Sequence, residues 1–465
     1  MAPGTLPQKN NLLLLASLFV WELSIACMPM AIYMKGDKPF AVFLSSKPGM
    51  VFLLAIAAFL IAGAVLIHQY LASRRSSSRH FRLIVMMNLI TVILIAVTGE
   101  IAIRAGSSNS HDGEKIGEVI LMPKNWETVA LHYHQLLDEV GGDLSYQVYD
   151  DLMGWTIGPD RRSANGLYFS SSEGIRAPHE RVTFAQIAGK TRIALVGDSF
   201  TFGEDVRYEE TWGYFLEKAV GSDFQLLNFG VPAYGVDQTY LRYEKDARKW
   251  NPKIVIFGLI SHDLVRTMSV YPFIGFPDWN MPFSKSRFIL RDGELTNVNV
   301  PPLTPENIFC RRSISELPLL EYQRGYRQSD WQRSLYHLSY LARLFVSQFP
   351  RWSSVNPDVT DEALASVNAA ILKGFTRSAA QAGAIPLVVY FPSKAELEEP
   401  SSSLSTGKRV LQQADIAYID LTSCLLKLNS ADRFVPLKHH YSPQGNATVA
   451  NCLHKVVNEA LTPSV

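Results

Sequence analysis

Ile193-Ala194-Leu195-Val196-Gly197-Asp198-Ser199 is the most informative run in the chain for its architecture. An apolar run ends abruptly in Gly197-Asp198-Ser199, and a helix-like segment, Glu210 to Val220, follows shortly. A strand buried on both faces reads as a short continuous apolar run bounded by turn signals. A serine on the turn between such a strand and the next helix stands at the carboxyl edge of a parallel sheet, where open α/β folds place their ligands. Its hydroxyl is exposed there and backbone amides lie beside it, which suits a nucleophile. The plainer reading of the tripeptide is a strand that ends in an Asp-Ser helix cap.

Outward from this stretch the pattern is regular. Strands are expected at 192–197, 224–229, Lys253 to Leu259, Ile385 to Phe391 and Ile416 to Leu421. Helices are expected at 210–220, Gln238 to Lys249, Asp361 to Ala382 and Ala447 to Leu461. Strands alternating with helices imply a parallel sheet covered on both faces, an α/β fold. This domain is expected to span 190–465, with an insertion at about 264–360. Structureless loops of that length are rare, so the insertion should hold structure of its own, including a helix at Asp330 to Phe349, and should shape the site. Residues 105–189 read as a connector with one helix near Trp126 to Val140, then turns and short strands.

The first 104 residues differ in character. Leu12 to Met34, Met50 to Ala72 and Leu83 to Ile103 are apolar runs, each long enough to cross a hydrocarbon core of about 30 Å as a helix. The first lacks a clear small-x-small cleavage site and is read as a membrane helix (spans at about 12–34, 50–72 and 83–103) rather than a signal peptide. Arginines at 74, 75, 79 and 82 crowd the second loop. The positive-inside rule places that loop, and with it the N-terminus, in the cytoplasm. Everything after Arg104 then lies outside, in a periplasm or at the cell exterior. Glu22, near the middle of the first span, is either functional or a carboxyl hydrogen-bonded between helices.

Net charge is +1, which gives no argument for a nucleic-acid partner. No Cys/His spacing resembles a zinc site, and no metal or cofactor is expected. An oxidising compartment permits one disulfide among Cys310, Cys424 and Cys452. Cys424–Cys452 is the favoured pair, since both lie in the C-terminal part of the domain.

Four loops after strands carry chemistry. They are Gly197-Asp198-Ser199, Asn228 to Gly235, Gly258 to Asp263 and His439 to Asn446. With Gly-Asp-Ser-Phe-Thr-Phe-Gly at 197–203, Glu-Thr-Trp at 210–212 and His-Tyr-Ser-Pro-Gln-Gly-Asn at 440–446, the chain resembles the SGNH (GDSL-like) hydrolase family, in a membrane-anchored bacterial branch. The resemblance covers about 190–450 without the insertion. It implies a flavodoxin-like parallel sheet, with Ser199 as nucleophile and His440 as its base; His439 is the alternative base. It also implies an oxyanion hole made of the Ser199 N–H, the Ala233 N–H and a side chain at the place of His262. The alanine, where the family has glycine, is a mild departure if its φ is negative. The family has asparagine at the His262 position, and an imidazole N–H can donate in its stead. The family's acid would stand at Leu437, and the nearest acid upstream is Asp432. His440 is therefore oriented by a backbone carbonyl or by a more distant acid. Asp198, Asp263 and Asp432 are the candidate supporting carboxylates.

The resulting expectation is a membrane-anchored serine esterase acting outside the cytoplasm, through an acyl-enzyme, on O-acyl groups, O-acetyl groups of a glycan first among them. Two alternatives stand beside it. One is an O-acetyltransferase of a cell-envelope polysaccharide working with a membrane partner that supplies acyl groups. The other is a glycan-binding module of an export complex that has lost turnover.

Overall fold

The computed structural model describes residues 8–36, 38–73, 78–139, 146–187, 189–349, 356–398 and 404–462. The chain divides into two units. One comprises Met1–Val129 and Arg327–Val355, the other Ala130–Tyr326 and Asn356–Val465. The segment read as a connector is thus shared between the units, and so is the insertion.

In the first unit three helices, Gln8–Lys35, Lys47–Ser73 and Ser78–Gly106, contain stretches long and apolar enough to cross a membrane: Leu12–Lys35, Lys47–Ala72 and Arg82–Gly106. The first and second pack through a Trp21–Phe59 stack at 5.4 Å. Glu22 faces Asn88 of the third helix. With the amide turned so that its NH2 meets the carboxyl, Nδ2 lies 3.0 Å from Oε2. That interhelical hydrogen bond corresponds to the second of the two readings of Glu22. Arg74 and Arg75, on which the orientation rests, lie outside the described residues.

This unit also holds a short helix, Phe40–Leu44, a small antiparallel meander, Ser108–Ser110, Gly113–Ile116 and Val119–Ile120, and the described part of the 327–355 segment. Arg343 ties the two together. It pairs with Glu114 and donates to the carbonyls of Leu121, at 3.0 Å, and Met122, at 2.9 Å. The helix expected over Asp330 to Phe349 is α-helical only at Tyr340–Gln348. Ser339 stops it, since its hydroxyl accepts from the Ala342 N–H at 3.2 Å as an N-cap. Leu335–Leu338 forms a separate 3₁₀ turn.

The second unit is built on five parallel strands, β1 (Thr191–Val196), β2 (Phe224–Asn228), β3 (Ile254–Leu259), β4 (Ile385–Tyr390) and β5 (Tyr418–Asp420). Their order is β2-β1-β3-β4-β5, the flavodoxin-like order. Alternation along β1 decides the layers. Ile193 and Leu195 pack on one face with Trp212, Leu216, Val449 and Leu453. Ala194 and Val196 pack on the other with Val236, Leu241, Ile371 and Phe375. Helices therefore cover both faces. The closing helix begins at Pro443, earlier than its apolar period suggested. Ser442 caps it, accepting from the Gly445 N–H at 3.0 Å, and proline at the first helical position needs no N–H partner. Cys424 and Cys452 are the bonded pair, joining the short helix Thr422–Leu425 to this closing helix, and Cys310 is free and exposed.

Residues 146–187 belong to the core of the second unit: Trp155, Ile157, Ile175 and Ala177 are buried with Val196 and Leu227. Beside them lies a buried ion pair. Lys285 Nζ meets Asp237 Oδ2 at 2.5 Å and also donates to the carbonyls of Ser269, at 3.2 Å, and Ser286, at 3.0 Å. Burial pushes the Lys285 pKa down and the Asp237 pKa up, so each group depends on the other for its charge. Lys285→Met should cost about 3–5 kcal/mol, because it strands a buried carboxylate. Urea unfolding of the full chain checks this, and the Asp237→Asn/Lys285→Met pair should recover part of the loss.

Candidate active site

β1 and β3 are neighbours in the sheet, and the chain leaves them toward opposite edges. Open α/β sheets bind ligands in the crevice at such a switch point. Here the crevice receives the turn after β1 and the helix Ser261–Arg266 after β3.

Ser199 opens a single helical turn, Ser199–Phe202. The plainer reading of Asp198 is also present, for its Oδ1 accepts from the Phe200 N–H at 3.0 Å and caps that turn. The strand can pass into the turn only through glycine, because a Cβ on Gly197 would lie 2.1 Å from Thr201 Oγ1. Asn228 secures the turn from β2, donating to the Thr201 carbonyl at 2.8 Å and accepting from the Gly230 N–H at 3.0 Å.

The structure brings Ser199 and His440 together, with Oγ to Nε2 at 2.9 Å. His440 is presented by a tight loop, closed by the Val435 N–H donating to the His440 carbonyl at 3.0 Å. Phe200 holds the ring edge-on at 5.2 Å. His440 Nδ1 lies 2.6 Å from Asp205 Oδ2. Asp205 is the distant acid that the sequence reading left unnamed. It sits six residues after the serine, in the loop that follows the helical turn. The N–H groups of Gly203 and Glu204 both return to the Ser199 carbonyl at 3.0 Å, and the Asp205 N–H donates to the Tyr168 hydroxyl at 2.9 Å. The Asp205 φ of 68° is one that aspartate tolerates.

The hydrogen bond to His440 holds the Asp205 carboxyl below its usual range. An ionised acceptor on Nδ1 places the ring proton there, which leaves Nε2 free to accept from the Ser199 hydroxyl. Burial alone would lower the His440 pKa. The hydrogen bond to Asp205 and the Glu204 charge outweigh it, and the net shift is upward. Glu204 Oε2 stands 3.6 Å from Nε2, a second carboxylate that the sequence reading also missed.

The remaining acids have other places. Leu437 is 98% exposed, facing water. Asp432 meets Asn429 at 3.4 Å and receives the Ser442 hydroxyl on its backbone carbonyl, so it serves the closing helix and does not reach His440. Asp263 Oδ2 accepts from the Ile260 N–H at 3.0 Å, capping its helix. Arg266 then bridges Asp263, at 2.8 Å, and Asp198, at 3.2 Å. Burial and the Asp198 charge push the Asp263 carboxyl well above its usual range. His439 is exposed and lines the same cleft as His440.

Three donors were expected to face an oxyanion. The Ser199 N–H is the first of its helical turn and has no intrahelical acceptor. The Ala233 N–H has no acceptor among the described residues. Its φ is +68°, not negative, so the departure from glycine strains the backbone. Ala233→Gly should raise stability by about 1 kcal/mol, since glycine adopts this conformation without the Cβ clash. Thermal unfolding of the full chain measures it. His262 lines the cleft with Ser199, its ring edge-on to Phe276 at 5.3 Å and Trp279 at 5.9 Å. Desolvation there and the Arg266 cation push its pKa down to about 4, against the pull of Asp198. Near neutral pH the ring is uncharged and offers one N–H. Arg266 itself lies over Trp279 at 4.7 Å.

The cleft is about 750 Å³. Its wall also carries Ser393, Glu396, Ser405 and Thr406. Glu396 is anchored by Tyr390 and by Ser261 at 3.0 Å.

No protein-family model and no curated protein matches the chain. Among solved structures it is similar to a putative lipolytic protein of the G-D-S-L family from Desulfitobacterium hafniense, at 11% identity over 57% of this chain and 99% of that one, with a TM-score of 0.28. It is similar to a lipase/acylhydrolase from Enterococcus faecalis at 11% identity, over 59% of this chain and 99% of that one, TM-score 0.32. An acetyl xylan esterase gives 12% identity over 57% and 99%, TM-score 0.30.

Proposed function

We propose that the second unit is an SGNH-type serine ester hydrolase working through an acyl-enzyme. The observation that carries this is the chain of contacts Ser199–His440–Asp205, at 2.9 and 2.6 Å, beside a cleft that Ser199, His262 and His440 line. Ser199 Oγ attacks the acyl carbonyl while its proton passes to His440 Nε2, and Asp205 stabilises the imidazolium. The Ser199 and Ala233 N–H groups, with His262 as the third donor, receive the oxyanion. His440 returns the proton to the departing alcohol, and water then repeats the sequence on the acyl-enzyme.

The substrate class we propose is an O-acylated, in first instance O-acetylated, glycan. Ser393, Ser405, Thr406 and Glu396 give the cleft wall hydrogen-bonding groups suited to a polyhydroxylated ligand. The three apolar helices support a membrane anchor, with the N-terminus cytoplasmic and the second unit outside. Transfer of the acyl group to a sugar hydroxyl in place of water would use the same serine and would need a partner that delivers acyl groups.

The test is to treat the full chain in detergent with a fluorophosphonate and locate the adduct by mass spectrometry. We expect it on Ser199, with turnover of p-nitrophenyl acetate. A folded chain left unlabelled would overturn the reading. Turnover should also depend on pH in one direction. His440 must be neutral to accept a proton, and its pKa is raised, so the rate should climb with pH through a midpoint above the ordinary histidine value of about 6.5. A kcat/KM profile between pH 5 and 9 measures this; a midpoint below the ordinary value would count against the Asp205 contact.

A further inference from the structure

The 327–355 segment follows the third apolar helix by more than two hundred residues, yet belongs to the same unit. We propose that its part from Leu335 to Phe349 lies in the bilayer interface, with Leu335 and Leu338 among the lipid acyl chains. The partner is the lipid surface at which the first and third spans end.

Depth is set by contacts with those spans. The Glu100 carboxylate, on the third helix, accepts from the Ser339 hydroxyl at 2.9 Å, the Tyr340 N–H at 2.8 Å and the Leu341 N–H at 3.0 Å. It thereby caps the helix Tyr340–Gln348. Glu100 stands six residues before Gly106, roughly 9 Å along the helix axis from its end. Leu341 rests on the preceding turn: a Cβ added at Gly99 would come within 3.3 Å of its Cδ2. On the first span Tyr33, two residues from the end at Lys35, meets Tyr336 at 5.7 Å and Phe345 at 6.4 Å. After three crossings the first and third helices end on the same side, so both sets of contacts place the segment at one membrane surface.

The side chains suit that depth. In a 3₁₀ turn residues i and i+3 eclipse, so Leu335 and Leu338 share a face, 86% and 65% exposed. Leu341 and Phe349, at 37% and 42%, extend the apolar surface. Scattered exposed leucines are ordinary on a soluble domain. A group of them bonded to the end of a membrane span is continuous with the lipid-facing surface of that span. Arg104 and Arg343 lie over the Tyr340 ring at 4.6 and 4.9 Å. Tyrosines with long cationic side chains mark the headgroup level.

The test uses the full chain with Cys27→Ala and Cys310→Ser, which leaves the Cys424–Cys452 bond intact. Leu335→Cys and Leu338→Cys are labelled separately with a nitrobenzoxadiazole dye, in phosphatidylcholine/phosphatidylglycerol vesicles with or without 5-doxyl lipid. Leu60→Cys, in the second span, and the dye coupled to free cysteine in the aqueous phase are the references. We expect the doxyl lipid to quench the labels at 335 and 338 as it does at 60, with no loss for the free conjugate. Full emission at 335 and 338 beside quenching at 60 would overturn the proposal, whether water or another protein covers the two leucines. That result would leave both the membrane spans and the esterase reading untouched.

Discussion

Ser199→Ala is expected to lower ester turnover by about 10⁶-fold, because nucleophile and base of a triad act as one unit. With Oγ gone, His440 has no proton to accept, and only the amide donors and substrate binding assist attack by water. His440→Ala should cost about as much, for a serine hydroxyl at neutral pH is a weak nucleophile without its base. The double variant should be no worse than either single one, the signature of groups acting together. The measurement is kcat on p-nitrophenyl acetate with the full chain, alongside fluorophosphonate labelling. Residual turnover within tenfold of the native chain in Ser199→Ala would mean that another group carries the reaction.

Asp205→Asn should lower kcat by about 10⁴-fold while leaving the fold intact. The amide can present its NH2 to Nδ1, which would shift the ring proton to Nε2, where it faces Ser199 and blocks proton acceptance. Loss of the negative charge also removes stabilisation of the imidazolium. The rate midpoint on the acid side should then fall, since the Asp205 contact helps to raise the His440 pKa. Asp432→Asn is the matched control, because Asp432 serves the closing helix and should leave kcat unchanged. Equal losses in the two variants would remove Asp205 from the mechanism. Lys438, 3.5 Å from Asp205 Oδ1, cannot replace it, since an ammonium has no acceptor for the Nδ1–H.

The sheet was legible because its central strands, β3 throughout and β1 from Ile193 onward, are buried on both faces and so read as continuous apolar runs. Its ends were less legible. Ser442 starts the closing helix and Ser339 delays the one in the insertion, both through side-chain caps that compete with hydrophobic period. The pairing of Ser199 with His440 could be sought in sequence through the Gly-Asp-Ser and His-Tyr-Ser-Pro blocks, but only Ser199 directly follows a strand. The short helices Thr422–Leu425 and Ser430–Arg433 separate His440 from β5, so the fourth loop does not leave the sheet as expected. Asp205 could not be found by looking upstream of the histidine. A single helical turn ending at Gly203 folds the chain back, so an acid six residues beyond the serine returns to its side. The φ of Ala233 was likewise invisible, since alanine gives no sign of a left-handed conformation.

Local and periodic features are thus the ones readable along the chain: the apolar runs, the β-α alternation and the serine at a strand end. Those features follow from which side chains avoid water and which turns a backbone permits. Packing alone sets which carboxylate meets His440, where the insertion divides, and that Arg327–Val355 falls in the unit that holds the three apolar helices. Such choices depend on contacts between residues far apart in the chain. Asp205 and His440, or Glu100 and Tyr340, become partners only once packing has fixed the distance between them.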